Sequence, residues 1–299
     1  MNYRPVSHIL ESSIIDMGSF QVKQPLPTQK VPQISPFLLL HHFGPIKVEP
    51  GFDPIDLGPH PHRGFEPVTF LYQGGIRHKD SLGNEGILEA GDIQWMTAGR
   101  GIVHTEDSIE NSPNLHAAQL WIALPETLAD CEPDFAHYSE LPLWHSAGVQ
   151  FTLLAGSYGE FQSPTAVHSP ILGMDLLSVS GGVVRLQLNP EFEYGFLTLT
   201  GQVNVQGDSY STDEFAYLEK GGSTLELELG VDSRVLLLGG VPVDQPVQMW
   251  WNFVGYSKEA IAAAQRDWEH GDSRFGDVKD PTSLTGKALR LTAPVLPWK

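Results

Sequence analysis

The sequence predicts an all-β protein that is organised as two domains. Short runs of β-branched, aromatic and other apolar residues recur along the chain, and glycine and proline separate them. Many short strands with frequent turn signals are typical of a β-sandwich or a β-barrel. A chain of 299 residues is also long enough to form two sizeable hydrophobic cores.

The predicted strands form two clusters, one in each half of the chain. Residues 225–229 read Leu-Glu-Leu-Glu-Leu, which is the alternation of a strand with one buried face. In chain order, the predicted strands are Val68–Tyr72, Ile93–Met96, Ala118–Leu124, Gln150–Ala155, Val183–Leu188, Phe196–Thr200, Phe215–Leu218, Leu225–Leu229 and Arg234–Leu238.

Helical signals are sparse, so only a few short helices are expected. The clearest helix lies near the C-terminus, where Ser257 is a suitable N-cap for the run Lys258–Trp268. Gly271 is placed to end it. Because this helix follows the second strand cluster, we expect it to pack on the outside of a barrel.

A weak internal repeat supports a duplicated domain. Residues 59–65 read PHPHRGF and residues 190–196 read PEFEYGF, and each stretch precedes a β-type run and a glycine turn. Proline, glutamate and aspartate accumulate at 126–142. The expected domains are therefore 1–135, with the metal-binding residues described below, and 136–299.

Composition restricts the partners and the compartment. Eighteen basic against 36 acidic residues give a net charge of −18, which disfavours direct contact with nucleic acids or anionic membranes. The single cysteine, Cys131, permits no intrachain disulfide, and residues 1–13 lack the pattern of a signal peptide. No apolar run approaches the roughly 20 residues of a membrane span. We expect a cytoplasmic protein.

Histidines and glutamates in two compact groups predict a transition-metal site. His60-x-His62 is followed by Glu66, and His104 is followed by Glu106 two residues later. Side chains at i and i+2 share one face of a strand, so two adjacent strands would bring four ligands together. Strand parity alone allows either glutamate to be the carboxylate ligand.

Three neutral imidazoles and one carboxylate suit a divalent transition metal better than calcium or magnesium, which prefer oxygen ligands. The donor set leaves iron, manganese, cobalt, nickel, copper and zinc open. Four ligands in octahedral geometry would leave two positions for water, substrate or dioxygen. The absence of a thiolate makes a structural zinc cage an unsuitable interpretation.

The stretches that contain these residues resemble the pirins, a branch of the cupin superfamily. Residues 58–66, GPHPHRGFE, and 91–106, GDIQWMTAGRGIVHTE, resemble the two pirin motifs. Residues 35–45, SPFLLLHHFGP, and 78–84, HKDSLGN, are similar to further pirin segments. The resemblance is specific over about residues 30–125 and is weaker but continuous through the second half.

The resemblance implies a bicupin, with two antiparallel β-barrels and iron, as iron(II), in the N-terminal one. It assigns the metal-ligand role to His60, His62, His104 and Glu106. The general cupin pattern would take the carboxylate from Glu66 instead. The pirin match favours Glu106 and leaves Glu66 as a residue behind the ligands or as an internal salt-bridge partner.

The second half departs from the metal-binding pattern. Glu191 and Glu193 stand where the first half has its histidine pair, and no His-x-Glu follows in residues 218–240. We expect Glu191 and Glu193 on a surface-exposed turn and a C-terminal cupin domain without metal ligands.

The resemblance also implies an activity, that of quercetin 2,3-dioxygenase, an oxidoreductase (a quercetinase) that adds dioxygen to a flavonol. The chemistry is compatible, because a divalent metal would lower the pKa of the flavonol hydroxyl and Glu106 would accept the proton as catalytic base. The alternative is a non-enzymatic regulator that senses metal or redox state and binds a protein partner, in the manner of a transcription cofactor. Flavonol turnover, against metal-dependent binding of a partner, separates the two.

Overall fold

A computed structural model describes residues 2–16, 21–49, 55–109, 112–243, 245–283, 286–287 and 289–298. Its strands, in chain order, are β1 (His8–Glu11), β2 (Ser13–Asp16), β3 (Gln21–Leu26), β4 (Phe37–Lys47), β5 (Asp56–His62), β6 (Phe65–Gln73), β7 (Gly75–Asp80), β8 (Glu85–Glu89), β9 (Ile93–Thr97), β10 (Ile102–Ser108), β11 (Asn114–Ala123), β12 (Asp134–Tyr138), β13 (Leu143–Ser146), β14 (Val149–Ala155), β15 (Ser157–Tyr158), β16 (Phe161–Gln162), β17 (Ile171–Gln187), β18 (Glu193–Thr200), β19 (Gln202–Val205), β20 (Asp208–Ser211), β21 (Glu214–Leu218), β22 (Thr224–Gly240), β23 (Gln248–Trp250), β24 (Phe253–Gly255), β25 (Thr282–Ser283) and β26 (Gly286–Lys287). A 3-10 turn at Glu126–Leu128 and the helix α1 (Lys258–Glu269) complete the elements. Within the described ranges, no helix is long and apolar enough to cross a membrane.

The chain forms two compact units, each assembled from separate segments. Unit 1 contains Met1–Ile15, Val22–His42 and Glu140–Val243, and unit 2 contains Asp16–Gln21, Phe43–Ser139 and Asp244–Lys299. The first residues of the chain therefore belong to the unit formed mainly by the second half, and the last residues belong to the unit formed mainly by the first half. The expected domain boundary at residue 135 falls within β12, and the division 1–135 and 136–299 stays a prediction.

Unit 1 is dominated by one antiparallel sheet in which the strands follow the order β1-β21-β18-β22-β17-β14-β13, with β19 pairing to β20 and β22. The alternation predicted for residues 225–229 is confirmed, because the three leucines are buried and Glu226 and Glu228 are not. These leucines pack into an apolar core with residues such as Phe151, Leu186 and Phe196.

Two of the predicted strands of unit 1 are parts of one longer strand. Leu225–Leu229 and Arg234–Leu238 both lie in β22, which pairs with β17 along its whole length. The sequence between them, Gly-Val-Asp-Ser, has the composition of a turn. It forms a local irregularity instead, with Asp232 at a φ of 52°, and the chain does not reverse.

Unit 2 contains the strands that carry the candidate metal ligands. Strands β5, β10, β7 and β8 form a four-stranded antiparallel sheet in that order, and strands β12, β9, β6 and β11 lie side by side in a second sheet. His62 of the first sheet contacts Phe65 and Trp121 of the second, at ring-centroid distances of 5.2 and 5.8 Å. The candidate site therefore lies between the two sheets.

The predicted C-terminal helix is confirmed, and it belongs to unit 2. The Ser257 side chain accepts a hydrogen bond from the backbone N–H of Ala260, and Gly271 adopts a φ of 71° beyond the last turn. Ile261 and Trp268 on its buried face pack with Val103 and other apolar side chains. The helix thus covers the back of β10, the strand of His104.

Candidate metal centre

Two neighbouring strands place the histidines together, as their spacing predicts. Strands β5 and β10 are antiparallel, and His104 lies directly opposite His60 in the register. His62 is two residues beyond His60 on the same face of β5. The register shifts between His104 and Glu106, so that Glu106 lies opposite Leu57.

The three imidazoles form one buried group. His60, His62 and His104 each offer a ring nitrogen, and these three atoms lie within 4.8 Å of one another. The Nε2 atoms of His62 and His104 are 2.8 Å apart. That distance is close to the ~3 Å that separates two nitrogen ligands at right angles around an ion bound at about 2.1 Å. The donor set and its spacing therefore fit a transition metal.

His60 and His62 are oriented by different contacts. His60 donates from Nδ1 to the backbone carbonyl of Gly58 at 2.9 Å, so its lone pair lies on Nε2. A larger residue at position 58 would clash, because a Cβ there would lie only 2.1 Å from the backbone oxygen of Leu289. The His62 ring packs edge-on against Phe65 and Trp121, and its Nδ1 is buried without a hydrogen-bond partner among the described residues.

Burial keeps the imidazoles uncharged. It lowers the pKa of His60 to about 4, and it holds the pKa values of His62 and His104 well below the ordinary value. The neighbouring histidines act in the same direction, since one imidazolium would disfavour another. At neutral pH all three rings therefore present lone pairs, which is the form that binds metals.

Glu106 is buried beside this group but is not part of the set within 4.8 Å. Burial raises its pKa to about 7, with a further increase from the nearby Asp107 charge. Gln119 opposes this effect by donating from Nε2 to Oε2 of Glu106 at 3.5 Å. Near neutral pH the carboxyl group is therefore able to accept and release a proton.

The raised pKa makes the stability of the metal-free protein depend on pH. Between pH 4.5 and about 7 the folded state keeps the Glu106 proton that the unfolded chain releases, so stability falls as pH rises through this window. We expect Glu106→Gln to stabilise the metal-free protein by up to about 3 kcal/mol near pH 8 and by little below about pH 5. Denaturant unfolding of both proteins across this range measures the difference. A difference that does not change with pH would contradict the expectation.

Glu66 has a different environment. Its Oε1 accepts hydrogen bonds from Trp95 Nε1 at 2.8 Å and from Thr97 Oγ1 at 3.1 Å. Like Glu106, it lies outside the set within 4.8 Å. These contacts tie Glu66 to strand β9 of the second sheet, so the geometry offers no advantage to Glu66 over Glu106 as a ligand.

Arg100 and the aromatic residues near the motifs have structural contacts. Arg100 forms an exposed ion pair with Glu132, at 2.9 Å. Trp95 and Phe65 are almost fully buried, so they form core and present little surface to a substrate. His41 and His42 lie in unit 1, where they contact Gln24 and Asp213.

The sequence interpretation missed His78 and Asp80, which lie next to the histidine group. His78 Nδ1 is 3.4 Å from His104 Nδ1, and His78 Nε2 is 3.1 Å from Asp80 Oδ2. Their i, i+2 spacing matches that of His60 with His62, and this was the signal available in the sequence. Gln119, which contacts Glu106, has no comparable signal.

The prediction of a surface turn for the two second-half glutamates is right for Glu191 and wrong for Glu193. Glu191 is exposed in a turn, whereas Glu193 begins β18 and is buried. Its Oε1 accepts from the backbone N–H of Ser35 at 2.5 Å, and its Oε2 accepts from the Tyr217 hydroxyl at 2.7 Å. These donors satisfy the carboxylate. Burial and the adjacent carboxylate raise the pKa of Tyr217, so its hydroxyl remains a donor.

We expect the glutamates of the second half to contribute nothing to metal binding. The combined variant Glu191→Ala, Glu193→Gln should retain the metal content of the full-length protein, because Gln keeps an acceptor for Ser35. Elemental analysis of purified protein tests this. A bound equivalent that disappears in the variant would show that unit 1 also holds a metal.

Comparisons with known proteins agree with this architecture. The chain matches the family model described as Pirin over residues 19–122 and the Pirin C-terminal cupin domain over residues 174–276. A Pseudomonas aeruginosa protein named "Putative quercetin 2,3-dioxygenase PA1205" is 45% identical over 282 residues, which cover 94% of this chain and 88% of that protein. Pirin-1 of Arabidopsis thaliana is 33% identical, with 90% of this chain and 91% of that protein covered.

Solved structures extend the comparison to the fold. The crystal structure of a quercetin 2,3-dioxygenase from Acinetobacter baumannii superimposes with a TM-score of 0.90 and 38% sequence identity. The match covers 98% of this chain and 95% of that chain. The expected all-β fold of two cupin domains with a helix near the C-terminus is thereby confirmed.

Proposed function

The chain belongs to the pirin family of the cupin superfamily, and on this basis we propose that it is a metal-dependent dioxygenase that adds dioxygen to a flavonol such as quercetin. The observation that carries the proposal is the convergence of three neutral, buried imidazoles in a chain whose relatives are named for this activity. Dioxygenases of this kind need a redox-capable metal held by nitrogen and oxygen ligands.

His60, His62 and His104 bind the metal in this proposal, and Glu106 is the fourth protein ligand. Iron(II) is the proposed native metal, and manganese, cobalt, nickel, copper and zinc are chemically acceptable substitutes for the same donors. Neutral histidines give the bound ion no charge compensation, so a carboxylate ligand nearby lowers the cost of holding a divalent ion in a buried site.

Glu106 is also the proposed catalytic base. When bound, the metal supplies a Lewis acid that lowers the pKa of a flavonol hydroxyl group. Glu106 accepts the hydroxyl proton as general base when it swings off the metal or stays loosely bound to it. Gln119 holds one carboxylate oxygen by a hydrogen bond, which leaves the other oxygen to bind the metal or, once it is released from the metal, to take the proton. Phe65 and Trp121, packed on His62, limit the access of water to that ring.

The two glutamates should differ in their contribution to metal affinity. We expect Glu106→Ala to weaken binding more than Glu66→Ala, because the loss of a ligand removes direct charge compensation. The loss of a group behind the ligands costs about 10–100-fold in affinity. Metal titration of both variants measures the two losses. The reverse order would assign the carboxylate ligand to Glu66.

Oxygen uptake by metal-loaded protein tests the proposed reaction. Protein reconstituted anaerobically with iron(II), and in parallel with manganese, cobalt, nickel or copper, should consume oxygen when quercetin is added, with loss of the flavonol. Metal-free protein and the His62→Ala variant serve as controls and should consume none above background. If no metal-loaded form consumes oxygen with any flavonol, the dioxygenase proposal is wrong and the regulatory alternative is favoured.

A further inference from the structure

A histidine–aspartate pair lies directly behind His104. Strand β7 pairs with β10 so that Asp80 is opposite His104 and His78 is opposite Glu106. Both side chains are buried, with exposures of 1% for His78 and 2% for Asp80. Neither residue belongs to the group of candidate ligands, yet His78 reaches the one ring nitrogen of His104 that faces away from His62.

Asp80 is held as an ionised acceptor. Its Oδ1 accepts from the backbone N–H groups of Leu82 and Asn84, and its Oδ2 accepts from the Asn84 side chain at 2.9 Å. Burial alone would raise the pKa of Asp80, but the hydrogen bonds from His78 and Asn84 outweigh it and hold the pKa below its ordinary value. A carboxylate in this state has no proton to donate.

The ionised carboxylate fixes the direction of the first hydrogen bond, because it can only accept. A neutral His78 that donates from Nε2 to Asp80 carries its lone pair on Nδ1. That lone pair accepts from the Gln94 side chain at 3.0 Å and from His104 Nδ1 at 3.4 Å. His104 then carries its proton on Nδ1 and its lone pair on Nε2, which is the atom that faces His62.

We propose that Asp80 and His78 are positioning residues that hold His104 in the tautomer whose Nε2 can bind the metal. This inference rests on the proposed metal site. The His78 ring is itself fixed by stacking on Phe135, with centroids 4.2 Å apart and planes 11° from parallel. The tautomer of His60 is held by the backbone carbonyl of Gly58 instead, and a backbone carbonyl can only accept a hydrogen bond. His104 is therefore the candidate ligand whose tautomer depends on other side chains.

An asparagine at position 80 would reverse the chain of hydrogen bonds while keeping its shape. The amide oxygen would replace Oδ1 beneath the turn, and the amide nitrogen would donate to His78 Nε2. His78 would then carry its proton on Nδ1, pointing at His104. The amides of Asn84 and Gln94 can rotate to accommodate this change. His104 can do so only by moving its proton to Nε2, where it blocks metal binding.

Cobalt(II) titration of three full-length proteins tests the proposal. Asp80→Asn should bind cobalt(II) about 10–100-fold more weakly than the wild type, the range expected when the hydrogen-bond partner of a ligand is lost. Asp92→Asn is the matched control, since Asp92 accepts from His137 Nε2 at 2.7 Å and from a backbone N–H in the same unit. It should lose stability to a similar extent and bind cobalt(II) like the wild type. Equal affinities for Asp80→Asn and the wild type would overturn the proposal.

The tautomer itself can be measured without any metal. Nitrogen chemical shifts of the His104 ring, assigned with the His104→Ala variant, should show an Nδ1 proton in the wild type and an Nε2 proton in Asp80→Asn. The same Nδ1 proton in both proteins would overturn the inference even if the wild type binds cobalt(II). If the two proteins show the expected difference in tautomer but the wild type binds no metal, the proposed metal site is wrong. If Asp80→Asn does not fold, His78→Leu replaces it, with the same expected loss of affinity because His104 Nδ1 then lacks an acceptor.

Discussion

Replacing His60, His62 or His104 by alanine is expected to abolish stoichiometric metal binding in each of the three variants. The wild type should bind one equivalent per chain, and each variant should lose more than about 100-fold in affinity, beyond the cost of losing a group behind the ligands. The reason is that each substitution removes one of only three neutral nitrogen donors from the group. Elemental analysis after dialysis, together with titration of the metal-free proteins, measures both quantities.

A histidine outside the group provides the control for this series. His116 is also buried in unit 2, where its ring packs on Tyr72 at 4.7 Å, and His116→Ala should retain the full equivalent of metal. The substitution leaves a cavity of the same kind as the other three. Full metal occupancy in any of the three test variants would remove that histidine from the proposed site.

Glu106→Gln is expected to reduce the turnover of quercetin by about 100–10,000-fold, the contribution typical of a general base. Glutamine keeps the size of the side chain and an oxygen that can still bind a metal weakly, but it cannot accept the hydroxyl proton. We therefore expect kcat to fall far more than the metal content does. Oxygen uptake, normalised to bound metal in each preparation, separates the two effects.

Glu132→Gln is the control for the removal of one carboxylate. Glu132 is exposed on the surface and pairs with the exposed Arg100, so its substitution should leave turnover unchanged. Loss of activity in Glu106→Gln that is explained wholly by lost metal would show that Glu106 acts as a ligand and not as a base.

The histidine group was predictable because strand geometry places each i, i+2 pair on one face and the pirin resemblance assigns both pairs to one site. An i, i+2 pair shares one face of any strand, and two such pairs meet when their strands are adjacent and in matching register. His60, His62 and His104 meet for this reason. The place of Glu106 was less predictable, because the register shifts between His104 and Glu106, and an irregularity of this kind leaves no periodic signal in the sequence.

Long-range contacts account for what the sequence did not predict. Glu193 can be buried because the backbone N–H of Ser35, far away along the chain, donates to its carboxylate. No local sequence pattern predicts that contact. The C-terminal helix was predicted from its N-cap at Ser257, but its membership in the unit of the first-half strands follows from packing against Val103. Local signals fixed the elements, and tertiary packing decided which unit each one joined.

Anomalous diffraction from a crystal of the metal-loaded protein tests the central claim most directly. Data collected at the absorption edge of the bound metal should show one strong peak per chain, at about 2.1 Å from a ring nitrogen of each of His60, His62 and His104. For His60 and His104 the bonded atom should be Nε2, as their Nδ1 contacts require. A metal-loaded crystal with no peak among these three rings, or with its single peak elsewhere in the chain, would contradict the assignment of this group as the metal centre.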